Sequence, residues 1–132
     1  MLDRQVTLGS FAALVGYELT HWQAGQATVR LAIEARHMNR SGVLHGGVLT
    51  TLIDTACGYA GCHGPAPAPP RRAMTLSLHT QFIAAVEAGA HLEARARHTG
   101  GGRRIFFSDC EVVDQTGRLV ARGEGTFRYR GP

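Results

Sequence analysis

A chain of 132 residues is long enough to bury one core and too short for two, so the expected organisation is a single domain over residues 1–132. Its 44% hydrophobic and 18% charged residues, with 17 glycines and 5 prolines, describe a turn-rich globular fold and exclude a disordered chain. The net charge of +4 comes from arginines scattered along the sequence, which favours a small anionic ligand over a nucleic-acid groove. No apolar run approaches the ~18 residues of a membrane span.

In chain order, Ser10 is the expected cap of a short helix, "FAALV", ended by Gly16. "YELTHW" and "ATVRLAIE" then alternate as strands, the second with Ala27, Val29, Leu31 and Ile33 on one face, and Gly25 turns between them. Residues 35–44 are a loop, and residues 46–60 are the one long helix. "HGPAPAPPRR" follows as an exposed connector, because its prolines forbid helix and strand pairing alike. Period-two alternation then runs to the end. Met74, Leu76, Leu78 and Phe82 share one face; Leu92, Ala94 and Ala96 another; Phe106, Cys110 and Val112 a third; and Leu119, Ala121, Phe127 and Tyr129 a fourth. Short turns imply antiparallel neighbours. The class is α+β, a curved antiparallel sheet wrapped around one helix.

At 100° steps the helix places Val48, Leu49, Leu52, Ile53, Ala56, Tyr59 and Ala60 in one apolar arc. The other side is a strip of Gly47, Thr50, Asp54, Cys57, Gly58 and Gly61. A solvated helix face carries Lys, Glu, Arg or Gln; Gly, Thr and Cys are poorer helix formers, so this strip points to close approach by a ligand or a second helix, with Asp54 at its centre. His45-Gly46-Gly47 lies at the helix start, where the first N–H groups lack intrahelical partners. Without a Cβ at Gly46 or Gly47, a carbonyl oxygen can approach those donors at the positive end of the helix dipole, which is an oxyanion hole in outline. Cys57, Cys62 and Cys110 are an odd set, and "MLDRQVTLGS" shows no signal pattern, so reduced thiols in the cytoplasm are expected. Cys57, Cys62 and His63 are read as ordinary side chains rather than zinc ligands, since structural zinc wants four well-spaced donors.

Asn39, His45 to Gly47 and Asp54 form the pattern N-x5-HGG-x6-D. With it, "MNRSGVLHGGVLTTLIDTACGYA", "MTLSLHTQFIAAV" and "GRLVARGEGTFRY" make the chain resemble the hotdog-fold acyl-CoA thioesterases of the phenylacetate-degradation (PaaI-like) branch. The resemblance implies the hotdog fold and hydrolysis of aryl- or medium-chain acyl-CoA to free acid and CoA, with no metal and no redox cofactor. It implies Asp54 as the catalytic carboxylate, general base or nucleophile, and the Gly46 amide as the oxyanion donor. Asn39 and His45 become polar residues beside the attacking water and the carbonyl, and Thr75 a hydroxyl near that water. Gly47, Arg71, Arg72, Arg103 and Arg104 are the candidates for holding CoA, whose phosphates call for arginine. Residues 64–70 could reshape the pocket entrance. Gly46 and Asp54 lie about 12 Å apart along the helix at ~1.5 Å per residue, so one thioester cannot reach both within a single chain. The expected assembly is therefore a symmetric homodimer with shared sites, and the resemblance implies pairs of dimers. The alternative reading is a non-catalytic module that binds acyl-CoA. Neither nucleic acid nor membrane is an expected partner.

Overall fold

The computed structural model describes residues 6–64 and 68–131; residues 65–67 of the proline-rich connector lie outside the described residues. The elements are α1 (Ser10–Val15), β1 (Glu18–Gln23), β2 (Gln26–Ala32), α2 (Gly46–Ala60), β3 (Arg72–Phe82), β4 (His91–Gly101), β5 (Ile105–Val113) and β6 (Leu119–Arg130), with one 3-10 turn over Ala35–His37 inside the loop that precedes α2. The order is the expected one. The cap of α1 is not: the N-cap is Gly9, with no side-chain hydrogen bond, and Ser10 is the first helical residue. Gly16 does end the helix in the left-handed region, at φ 97°.

Six strands form one antiparallel sheet in the order β1-β2-β4-β5-β6-β3. The short turns at Gly25 and Gly117 join neighbours, as expected. β3 departs from that rule: residues 83–90 carry the chain from β3, paired with β6, to β4, paired with β2 and β5. This leaves β3 at an edge of the sheet.

Residues of β2, β4, β5 and β6 that alternate inward, such as Val29, Leu92, Phe106, Val112 and Phe127, are buried against α2, which contributes Leu49, Leu52, Ile53 and Ala56. Burial of these side chains removes them from water at ~1.5–3 kcal/mol each and is the main force holding helix to sheet. Cys57 is fully buried too, which corrects its expected place on the open strip. A sheet that curves around the helix covers more than the half-cylinder the helical wheel allots to it. At the far end the Trp22 indole N–H donates to the Tyr59 carbonyl at 2.8 Å and the Tyr129 hydroxyl to the Gly61 carbonyl at 2.7 Å, satisfying carbonyls the helix leaves open. Position 61 must be glycine, since a Cβ there would lie 2.1 Å from the Phe106 ring.

Simple alternation in β3 is broken. A bulge lies between Thr75 and Ser77, so that Thr75 opposes Phe127 while Leu78 opposes Gly125. Thr75 and Leu78 therefore face inward together, and Met74 and Leu76 are exposed, contrary to the single apolar row expected there. A bulge re-aims one side chain in this way.

Candidate active site

The loop before α2 is built to present its first turn. The Asn39 carboxamide oxygen accepts from Ser41 N at 2.9 Å and Val43 N at 3.2 Å, and Gly42 turns the chain at φ 79°. A Met38–Leu44 bridge closes this turn, and Leu44 N donates to the Val86 carbonyl. His45 is then extended (φ −65°, ψ 132°) and is the N-cap: its Nδ1 accepts the Gly47 N–H at 2.8 Å. The Gly46 N–H has no acceptor among the described residues. Gly46 lines a cleft of about 370 Å³ with Leu44, Leu49, Phe82, Ile83 and Val86.

Two turns further on, Asp54 is partly buried and its Oδ1 accepts the Thr75 hydroxyl at 2.6 Å, the short length of a charge-assisted bond. The bulge in β3 makes this contact possible. Asp54 and Thr75 belong to a second cleft, about 360 Å³, with Tyr17, Gly58, Arg71 and Arg130 among its walls. Cys62 also faces this cleft, but burial pushes its thiol up to about 11, with the Arg71 charge pulling the other way. Near neutral pH it is a thiol, not the thiolate a nucleophile needs. One carboxylate with an ordered hydroxyl, and one open amide at a helix start, are the parts of acyl transfer by water: a base or nucleophile and an oxyanion donor.

A larger groove, about 1060 Å³, lies over the outer sheet face beside Arg95, Arg97, Asp109 and Glu111. It contains none of these groups; Arg95 and Arg97 are engaged in ion pairs with Glu93 and Asp109, and Arg122 donates to Gln81.

The sequence profile of the thioesterase superfamily matches residues 41–121, which include both glycines, Asp54 and Thr75. The chain belongs to the thioesterase superfamily. The Escherichia coli acyl-coenzyme A thioesterase PaaI is 31% identical over 114 residues, 86% of this chain and 78% of that one. A solved structure of E. coli PaaI superposes with a TM-score of 0.83, covering 94% of this chain and 86% of that one at 27% identity. A conserved Pseudomonas aeruginosa protein of solved structure gives 0.83 at 36% identity, over 93% and 95% of the two chains. Mouse acyl-coenzyme A thioesterase 13 is 25% identical over 97 residues, 73% and 67% of the two chains. The protein is thus a PaaI-like hotdog thioesterase, a thioester hydrolase with the α+β architecture expected.

In this thioesterase the expected residues fall into three groups. Asp54 and Thr75 touch. Asn39, His45 and Gly46 form the other end, where Asn39 is a turn residue through its oxygen and has only its NH2 left to offer a ligand. Gly47 is not an open donor, because His45 already takes its N–H. Among the expected arginines, Arg71 and Arg72 reach the Asp54 cleft, whereas Arg103 and Arg104 sit behind it, their carbonyls bonded to Arg71 and to Tyr129 N. Sequence reading missed Tyr17, Phe82 and Arg130, whose places depend on pairings remote in the chain. Thr75→Val keeps the β-branched shape of the side chain and removes the bond to Asp54. A fall in kcat of roughly 10-fold is expected, with recovery in Thr75→Ser; equal rates in wild type and the Val variant would show that the hydroxyl does nothing for Asp54.

Proposed function

We propose that this thioesterase hydrolyses the thioester of aryl- or medium-chain acyl-CoA at sites shared between two copies of the chain. The observation that carries the reading is the separation of the parts. In one protomer the open Gly46 N–H and the Asp54–Thr75 pair occupy different clefts, about 12 Å apart along α2 at ~1.5 Å per residue. A donor must lie about 3 Å from the carbonyl oxygen and a base about as close to the attacking water.

A two-fold axis beside α2 resolves this. If Gly46 of one helix faces Asp54 of the other, antiparallel helices meet at Thr50, midway between them, and two complete sites form. The edge position of β3, with Met74, Leu76, Phe82 and Ile83 exposed on and just beyond it, supports β3 as the strand along which the copies join. Two such dimers make the expected tetramer.

At each site the thioester oxygen accepts the Gly46 N–H. In the base route Asp54 takes a proton from water as its oxygen adds to the carbonyl carbon. Collapse breaks the C–S bond, the sulfur leaves as thiolate, and the acid product remains. In the nucleophile route Asp54 adds first and water cleaves the mixed anhydride. Neither route calls for a metal or a redox cofactor. A cytoplasmic setting goes with this reading, the three cysteines being free thiols. Among the described residues no helix is long and apolar enough to cross a membrane.

An acyl-CoA panel followed by release of free thiol tests the proposal. Turnover of arylacetyl or medium-chain substrates by a species that sediments as dimer or larger is expected. No thiol from any substrate would sink the reaction, and a fully active monomer would sink the shared site.

A further inference from the structure

Between residues 34 and 47, the segment that carries the oxyanion donor, only His37 and Leu44 are buried. Leu44 is an apolar anchor and a wall of the Gly46 cleft. His37 is a polar side chain only 4% exposed, and a polar group so placed needs partners. It has two. Its Nδ1 accepts the Glu34 N–H at 2.9 Å, and its Nε2 lies 2.8 Å from the Val15 carbonyl. Because the first partner is a donor and the second an acceptor, the ring is neutral with its proton on Nε2. The Glu34 side chain accepts the His37 N–H in return, closing a capping box around the 3-10 turn. On the other side, the Val15 carbonyl is one that α1 leaves open at its last turn. The neighbouring Leu14 carbonyl accepts from the Arg36 guanidinium, so the turn and α1 are bonded twice.

The backbone of His37 then forms the base of the loop. Its carbonyl accepts the His45 N–H at 2.9 Å, next to the Met38–Leu44 bridge. His45 is thus held at its amide by His37 and at its ring by the Gly47 N–H. With the peptide planar, the backbone angles of His45 set the direction of the next N–H, which is that of Gly46. An oxyanion donor works only when aimed, and a displacement of about 1 Å can cost on the order of 10²-fold. A movement of residue 37 passes to Gly46 through one hydrogen bond and one residue.

We propose that His37 is a positioning residue for the thioesterase reaction. Its two ring bonds fix the turn whose carbonyl holds His45, and so aim the Gly46 N–H at the thioester oxygen. His37 lines neither cleft, so it acts through Gly46 and not on the substrate. This rests on the acyl-CoA thioesterase reading above and adds to it a residue outside both clefts.

The test is a double-mutant cycle. His37→Phe keeps a ring of similar size and removes both bonds. Alone it is expected to lower kcat about 10-fold with KM within about 2-fold of wild type. In the Gly46→Pro background there is no N–H left to aim, and the same substitution is expected to change kcat less than about 2-fold. An equal fall in both backgrounds overturns the proposal, since His37 then serves the fold in general; so does an unchanged kcat in the single variant. A second readout needs no turnover. In 15N-glycine-labelled protein the amide peak missing from Gly46→Pro identifies Gly46. That peak is expected to shift in His37→Phe while those of Gly25 and Gly131, just outside β2 and β6, stay in place. An unmoved Gly46 peak overturns the positioning role. If wild type releases thiol from no acyl-CoA, the thioesterase reading fails and the Gly46 peak alone judges His37. Should His37→Phe lack a melting transition, His37→Gln, which keeps a donor toward Val15 and drops the acceptor for Glu34, goes through the same cycle and the same spectrum.

Discussion

Asp54→Asn is expected to lower kcat for acyl-CoA hydrolysis by at least ~100-fold, the scale of an acid-base or nucleophilic group, with the melting temperature close to that of wild type. The substitution is nearly isosteric, and its amide oxygen can still accept the Thr75 hydroxyl that Asp54 accepts at 2.6 Å. What disappears is the negative charge and the lone pair able to take a proton or attack a carbonyl. Because the neighbouring contact survives, a loss of rate cannot be assigned to a rearranged cleft. An Asn enzyme running at full rate in the thiol-release assay would remove Asp54 from the mechanism.

Gly46→Pro is the complementary experiment, because it deletes one N–H and little else. Proline is well suited to the first helical position, and the residue before it must be extended; His45 already is, at φ −65° and ψ 132°. A Cβ at this position meets the Phe82 ring at 3.3 Å, and Phe82 is exposed enough to yield. With the oxyanion donor gone, kcat is expected to fall by about 10²–10³-fold while the far-UV spectrum and melting temperature persist. Full activity in the Pro variant would mean that the Gly46 amide does not hold the carbonyl.

Mixing the two inactive variants tests the sharing itself. A heterodimer of Gly46→Pro and Asp54→Asn contains one site with both defects and one with neither. Random assortment should therefore restore about one quarter of wild-type activity in a two-fold dimer. If each protomer carried its own complete site, refolding the mixture would recover nothing.

Much of this machinery was legible in the sequence because it is local. The His45-Gly46-Gly47 helix start, the eight-residue step to Asp54 and the alternation of β2, β4 and β5 are fixed by bonds and periodicities spanning a few residues. If Gly46 and Asp54 serve one reaction, as the resemblance implies, the eight-residue step leads to the expectation of two protomers. Where helical geometry was extended to tertiary questions it failed in an instructive way. Cys57 looks outward on a wheel drawn at 100° per residue, yet it is fully buried, because the wheel knows the helix and not how far the sheet curls around it.

The sequence by itself determined the kinds of chemistry present, an open amide and a carboxylate at fixed spacing on one helix, and the family to which they belong. The tertiary structure alone decided what stands beside them. β3 runs at the sheet edge and takes its register from β6, some 50 residues away in the chain, and the bulge in that pairing turns Thr75 toward Asp54. The same ladder sets Arg72 against Arg130. Ladder register and bulges arise from non-local hydrogen bonding between strands, so no pattern within β3 or β6 taken separately encodes them.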